Sequence, residues 1–186
     1  MYWAASCGGC EIAVLNIGVK ILDVDANFDI AFWPVAMDAK YKDVEALPDG
    51  DILLTLFNGG IRNDENEHIA KLLRRKSKIL VAFGSCACEG CIPGLANLWD
   101  RETIFRAVYQ EAPSTVNPEA VIPASGDTLS LPVFHDTVRA LDQVVEVHVA
   151  EPACPLELRR PQERALDHQD LDLGEPRFGG EDGRPG

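Results

Sequence analysis

The chain is short of basic residues. Its 186 positions hold 17 Lys plus Arg against 30 Asp plus Glu, a formal net charge of -13. That balance excludes a nucleic-acid-tracking surface, which needs clustered cations to meet phosphates. Long hydrophobic runs are missing too; none approaches the roughly 18 residues that span a bilayer. The N-terminus shows no basic segment followed by an apolar stretch and no twin-arginine pair, so no secretion signal is read there. No internal repeat occurs, and His68, His135, His148 and His168 are scattered without metal-ligand spacing. What remains is the expectation of a cytoplasmic α/β protein with no nucleic-acid partner and no membrane span. An apolar fraction of 46% and a charged fraction of 25% are ordinary for a globular domain with a core of its own.

Cysteine is the residue in unusual supply, with six in the chain. A small secreted scaffold would spread an even set through a loop-rich chain. Here Cys7 and Cys10 form one tight group, Cys86, Cys88 and Cys91 a second, and Cys154 stands apart. In a reducing compartment such thiols serve as metal ligands or redox groups more often than as disulfides.

The pattern along the chain predicts alternating strands and helices. Met1 to Ser6 reads as a strand, Glu11 to about Val24 as a largely buried helix, and Phe28 to Val35 as a second strand stopped by Pro34. A short helix is expected from Tyr41 to Leu47 and a strand from Asp51 to Phe57, followed by a turn at Asn58-Gly59-Gly60. Asn63 or Asp64 can cap a helix reaching Lys76, with Arg74, Arg75 and Lys76 at its negative end. Lys78 to Phe83 is a β-branched, apolar strand. Helices are expected over Asp100–Gln110 and His135–Val144, with a proline-rich surface excursion over 112–132 between them and a last strand over Val145–Val149. Composition changes after Pro155, and 157–186 is expected to be a disordered, solvated tail to a domain spanning 1–156.

Such alternation implies a mostly parallel sheet of four to five strands with flanking helices and right-handed crossovers. Ligands then sit beyond the carboxyl ends of the strands. Cys7 and Cys10 follow the first strand, Cys86 follows the strand ending at Phe83, and Cys154 follows the last, so all four are expected on one edge. Thiolates arriving from three loops can hold zinc or an iron–sulfur cluster. One early CxxC with long-range single ligands favours the larger cubane over zinc, while redox-active or inert thiols remain open. Gly8, Gly9 and Gly84 let the backbone turn tightly and present N–H groups toward sulfur, although plain turn chemistry explains glycine there equally well.

Cys7-Gly8-Gly9-Cys10-Glu11, Gly84-Ser85-Cys86-Ala87, Ile92-Pro93-Gly94 and Pro152-Ala153-Cys154-Pro155 resemble the proximal-cluster motifs of the small subunits of [NiFe] hydrogenases. The nearest group is the cytoplasmic methyl-viologen-reducing, heterodisulfide-reductase-linked type. The 20 kDa subunit of NADH:ubiquinone oxidoreductase shares the fold, but that branch carries adjacent cysteines at the first motif. The resemblance covers about residues 1–156. It implies a flavodoxin-like domain holding one [4Fe-4S] cluster on Cys7, Cys10, Cys86 and Cys154. It also implies a nickel–iron large subunit as partner and a downstream electron-transfer subunit as acceptor. The chain lacks the paired CxxC motifs that would hold nickel, so alone it should not oxidise dihydrogen. Leu156 follows Pro155 where the family continues with proline, and no cysteine follows for further clusters.

Several residues carry two readings. Cys88 and Cys91 are alternative ligands, a redox pair or simple substitutions. Glu11 is a proton carrier near the cluster or a first-turn acid answering the helix dipole. Trp33 is an exposed interface anchor or a core residue. The basic run Lys71 to Lys76 reads as a solvated helix end. A flavin phosphate site after the first strand is disfavoured because cysteines occupy the phosphate-loop positions.

Overall fold

The computed structural model describes residues 1–151. Its strands are β1 (Tyr2–Trp3), β2 (Ile52–Asn58), β3 (Ile61–Asn63), β4 (Ser77–Phe83), β5 (Phe134–Arg139) and β6 (Val149–Glu151). A four-stranded sheet in the order β1-β2-β4-β6 is parallel throughout, and β3 pairs antiparallel with β5 in a separate ribbon. The expected open parallel sheet is therefore present with four strands. Parallel pairing sends every carboxyl end to the same edge, which is the property that builds the site.

The main helix is α4 (Asp64–Lys76), numbered after α1 (Gly9–Leu15), α2 (Ile21–Asn27) and α3 (Tyr41–Ala46). Asn63 caps it by accepting from the Asn66 amide at 2.8 Å. Acids fill its first turn and Arg74, Arg75 and Lys76 its last, as the dipole favours. Its apolar stripe of Ile69, Leu72 and Leu73 is buried with Phe57 and Leu80 of the sheet. Each such side chain contributes about 1.5–3 kcal/mol on burial. Three further helices follow: α5 (Ser85–Glu89), α6 (Cys91–Gly94) and α7 (Arg101–Arg106). Residues 112–132 form an irregular, largely exposed excursion, as their prolines suggest.

Several local expectations need correction. The Glu11–Val24 helix is two helices, α1 and α2, parted at Gly18 with φ 66°, and its apolar residues are mostly exposed. Phe28–Val35 forms no strand: Pro34 removes an amide, and Ala36 and Met37 both donate to the Trp33 carbonyl in a turn. Its apolar run reflects burial of Phe32, which stacks on Tyr2 at 6.1 Å, rather than strand pairing. His135–Val144 is not an α-helix; β5 pairs with β3, and Asn97 brackets Val138 by bonding both its N–H and its carbonyl at 2.7 and 2.9 Å. The last strand, β6, begins at Val149, where the expected one was to end. Within 100–110, Asp100 caps α7, but the helix stops at Arg106 and continues as a π-turn over Ala107–Glu111.

Candidate metal centre

Cys7 follows closely on Trp3, the end of β1, and the intervening chain is held by the residues that end and follow β2. The Ala4 amide donates to the Asn58 carbonyl at 2.7 Å, and Ala5 exchanges both backbone hydrogen bonds with Gly60. The CxxC turn then folds onto the Trp3 ring. Gly8 has φ +78°, and a Cβ there would stand 2.7 Å from Cζ2 of that ring. Glycine is required at this position both by conformation and by space. The Ser6 hydroxyl accepts from the Gly8 amide at 3.0 Å and fixes the turn. Gly9 differs: a Cβ would only touch the Cys7 sulfur at 3.4 Å, an ordinary contact.

The second thiol loop leaves β4 at Gly84, whose amide donates to the Glu151 carbonyl of β6 at 2.8 Å. Gly84 has φ +86°, and a Cβ on it would lie 2.2 Å from the Cys10 sulfur. The missing side chain is a cradle into which Cys10 fits. Cys86 sits in the first turn of α5 just beyond. Burial pushes its thiol pKa up, the neighbouring Cys91 thiol adds to the rise, and a hydrogen bond from the Cys7 backbone opposes it. The Cys7 amide, the Cys91 thiol and the Cys86 sulfur are thus neighbours. Cys10 and Cys86 are buried, while Cys7 and Cys91 are exposed.

The structure therefore brings Cys7, Cys10, Cys86, Gly8, Gly9 and Gly84 to one sheet edge. Cys154 lies outside the described residues, three positions after the end of β6. Among the described residues, no three His, Cys, Asp or Glu side chains close around a single ion-sized point. The donor chemistry nevertheless fits a thiophilic group: three thiols from two loops and a glycine cradle at Gly84. The extra cysteines part company. Cys88 turns inward, bonding the Ala82 carbonyl at 3.3 Å, and burial pushes its pKa up to about 11. Cys91 stays at the site, held in a turn with φ 40° next to Gly90 at 85°.

Glu11 is only 2% exposed, and burial raises its carboxyl pKa against a smaller opposing pull from the Trp33 indole. The two groups face each other without reaching hydrogen-bond geometry. Trp33 is a core residue, so the interface-anchor reading does not hold for it; Val35 and Met37 beside it are the exposed ones. Of the basic run, Lys76 is buried and bonds the Leu47 carbonyl at 2.6 Å and Asp49 at 2.9 Å. His135 and His148 are absorbed by structural contacts, the first with Glu67 and the second with the Leu80 amide. Two residues of this edge escape a reading of sequence. Trp3 is the platform for Gly8, and Asn58 is a buried amide in what reads as an ordinary turn.

The family model described as NADH ubiquinone oxidoreductase, 20 Kd subunit, matches residues 7–161, a span that opens on Cys7 and takes in Cys154. The chain belongs to this family. Among its relatives, the iron-sulfur subunit of the F420-non-reducing hydrogenase of Archaeoglobus profundus is 46% identical over 155 residues, 80% of this chain and 48% of the relative. The corresponding F420-non-reducing hydrogenase protein of Methanothermobacter thermautotrophicus is 37% identical over 153 residues, 82% of this chain and 47% of the relative. The chain spans about half the length of these curated relatives. A chain in the crystal structure of an NAD+-reducing [NiFe]-hydrogenase in the H2-reduced state superposes with a TM-score of 0.69 at 26% identity, covering 81% of this chain and 78% of that one. The resemblance drawn from the cysteine motifs agrees with these relatives. Among the described residues, no helix of this 20 kDa-subunit-type chain is long and apolar enough to cross a membrane.

Proposed function

We propose that the chain is the electron-transfer small subunit of a [NiFe] hydrogenase-type oxidoreductase and carries one [4Fe-4S] cluster on Cys7, Cys10, Cys86 and Cys154. The observation that carries this reading is the seating of Cys10 in the Gly84 cradle, with Cys86 buried two residues beyond Gly84. When bound, the cluster supplies one-electron redox chemistry. The chain's own part is to hold the thiols, exclude water and offer backbone donors. Burial of Cys10 and Cys86 keeps solvent from that side. Electrons would enter from a nickel–iron large subunit and leave to a downstream electron-transfer subunit. The exposed apolar side chains of α1, which continues the CxxC turn, and of α2 after it suit a partner surface. The CxxC spacing favours this over the quinone-linked branch of the family, and a cytoplasmic location belongs to the same proposal.

The test is anaerobic iron and sulfide analysis, with low-temperature EPR after dithionite reduction, on protein co-produced with its large subunit. The expected result is about four iron and four sulfide per chain, with the reduced signal lost in Cys86→Ala and Cys154→Ala. One zinc per chain without sulfide would remove the relay reading and leave a structural thiol site.

A further inference from the structure

Asn58 is 0% exposed, and neither its Oδ1 nor its Nδ2 has a hydrogen-bond partner among the described residues. A buried carboxamide left bare is costly, and native proteins rarely keep one without reason. Its place in the fold suggests the reason. Asn58 ends β2, the strand between β1, which leads to Cys7 and Cys10, and β4, which leads to Cys86. Its register partner in β1 is Trp3. Paired residues of neighbouring strands leave a sheet on the same face. The Trp3 ring is where the CxxC turn rests through Gly8, so the Asn58 side chain leaves the sheet on the face over which that turn folds.

The next two residues hold it there. A Cβ on Gly59 would stand 2.8 Å from the Ala4 carbonyl carbon, and one on Gly60 would stand 3.4 Å from the Cys86 carbonyl oxygen. The Asn58-Gly59-Gly60 turn is wedged between the backbone that leads to one pair of thiols and the backbone that carries the third. Gly60 is tied to Ala5 by hydrogen bonds of 2.9 and 3.2 Å in both directions. Asn58 therefore cannot swing to water without dismantling the turn, and the partner it lacks must come to it.

Resting on the [4Fe-4S] reading above, we propose that Asn58 is a positioning residue whose Nδ2 donates a hydrogen bond to a sulfur of the group held by the neighbouring cysteines. Donors to sulfur stabilise the reduced, more negative state and raise the reduction potential. The side chain would set where this relay stands on the potential scale, without supplying a ligand.

The test uses the co-produced complex with its large subunit. Asn58→Leu keeps the size and removes the donor; Asn58→Asp keeps the shape and replaces the donor with an acceptor. The proposal expects unchanged iron content in Asn58→Leu and a lower midpoint in an EPR-monitored redox titration. At a fixed poise, the reduced fraction relative to oxidised should fall about tenfold, equivalent to 59 mV for one electron. Asn58→Asp should fall further. In the unsubstituted complex, a side-chain amide proton coupled to the reduced cluster should be lost from proton ENDOR after transfer to D2O, with the matching deuteron coupling appearing, and that one coupling should be missing in Asn58→Leu. A midpoint unchanged at full iron content overturns the proposal. So does the absence of that coupling in the unsubstituted complex, which is decisive even if the variants fail to fold. A complex with no iron or sulfide at all would instead overturn the cluster reading itself.

Discussion

α4 and the α1–α2 segment are both helical and both rich in aliphatic side chains, yet they are built on opposite terms. α4 carries a side-chain cap at Asn63, acids at its start, bases at its end, and a buried apolar stripe. α1 starts from Gly8 in a left-handed conformation with no side-chain cap, and no basic residue closes its last turn. Val19 is 83% exposed and Leu22 is 66% exposed. A short helix without caps or burial is marginal on its own. What anchors this segment is its first turn, where Cys10 and Glu11 are buried at the sheet edge. The contrast separates residues that hold the fold from residues that the fold presents. Apolar side chains clustered on an exposed element beside the cysteine edge add nothing to the core, and under the proposed function they suit a partner surface.

Truncations make the sharpest test of that division. Leu73→Ala should cost about 2–5 kcal/mol, because Leu73 is enclosed between α4 and the sheet. Leu22→Ala should change stability by no more than about 0.5 kcal/mol while, under the proposed function, weakening association with the proposed large subunit. Urea unfolding of the isolated chain and co-purification of the complex read the two effects separately. Equal losses of stability at both positions would erase the distinction between core and presented helix.

A smaller effect is expected at the cap. Asn63→Ala leaves the Asn66 amide without its acceptor and should lower stability by about 1 kcal/mol, measured as a shift in urea midpoint at unchanged slope. No comparable side-chain cap exists to be removed from α1.

The smallest effect is electrostatic and appears only in acid. Lys71 and then Arg139 hold the Glu67 carboxyl down to about 2, against an ordinary value of 4.5. A carboxyl with a depressed folded-state pKa stabilises fully above its unfolded value, and that contribution disappears as pH falls through the folded value. The stability difference between the native chain and Glu67→Gln should therefore shrink as pH falls from 4.5 to about 2. A difference that persists unchanged to pH 2 would show that Glu67 acts through packing rather than charge.

How legible each part was follows from the range of the interactions that make it. α4 could be read because its cap, its charge bias and its stripe all lie within or next to its own residues. The cysteine edge could be read because strand–helix alternation forces parallel pairing, and parallel pairing collects the carboxyl ends. Phe28–Val35 misled because an apolar run signals burial and does not say whether a ladder partner exists; Phe32 is buried by stacking on Tyr2 instead. His135–Val144 misled because β5 owes its conformation to β3 and Asn97, which lie far away along the chain. Nothing local distinguishes Cys88 from Cys91, yet one thiol faces the Ala82 carbonyl and the other faces Cys86.

The sequence by itself determined which atoms were available and on which edge they would meet: thiols after strands, glycines where the chain must turn, and a net charge of -13. Those features depend on residue type and on spacing along the chain. Only the tertiary structure decided that Gly84 is the seat of Cys10, that Cys91 rather than Cys88 borders Cys86, that α1 and α2 leave their aliphatic side chains in solvent, and that Asn58 is buried with its amide bare. Each of those depends on contacts between segments that close packing brings together. Close packing acts on distance through space, which spacing along a chain does not encode.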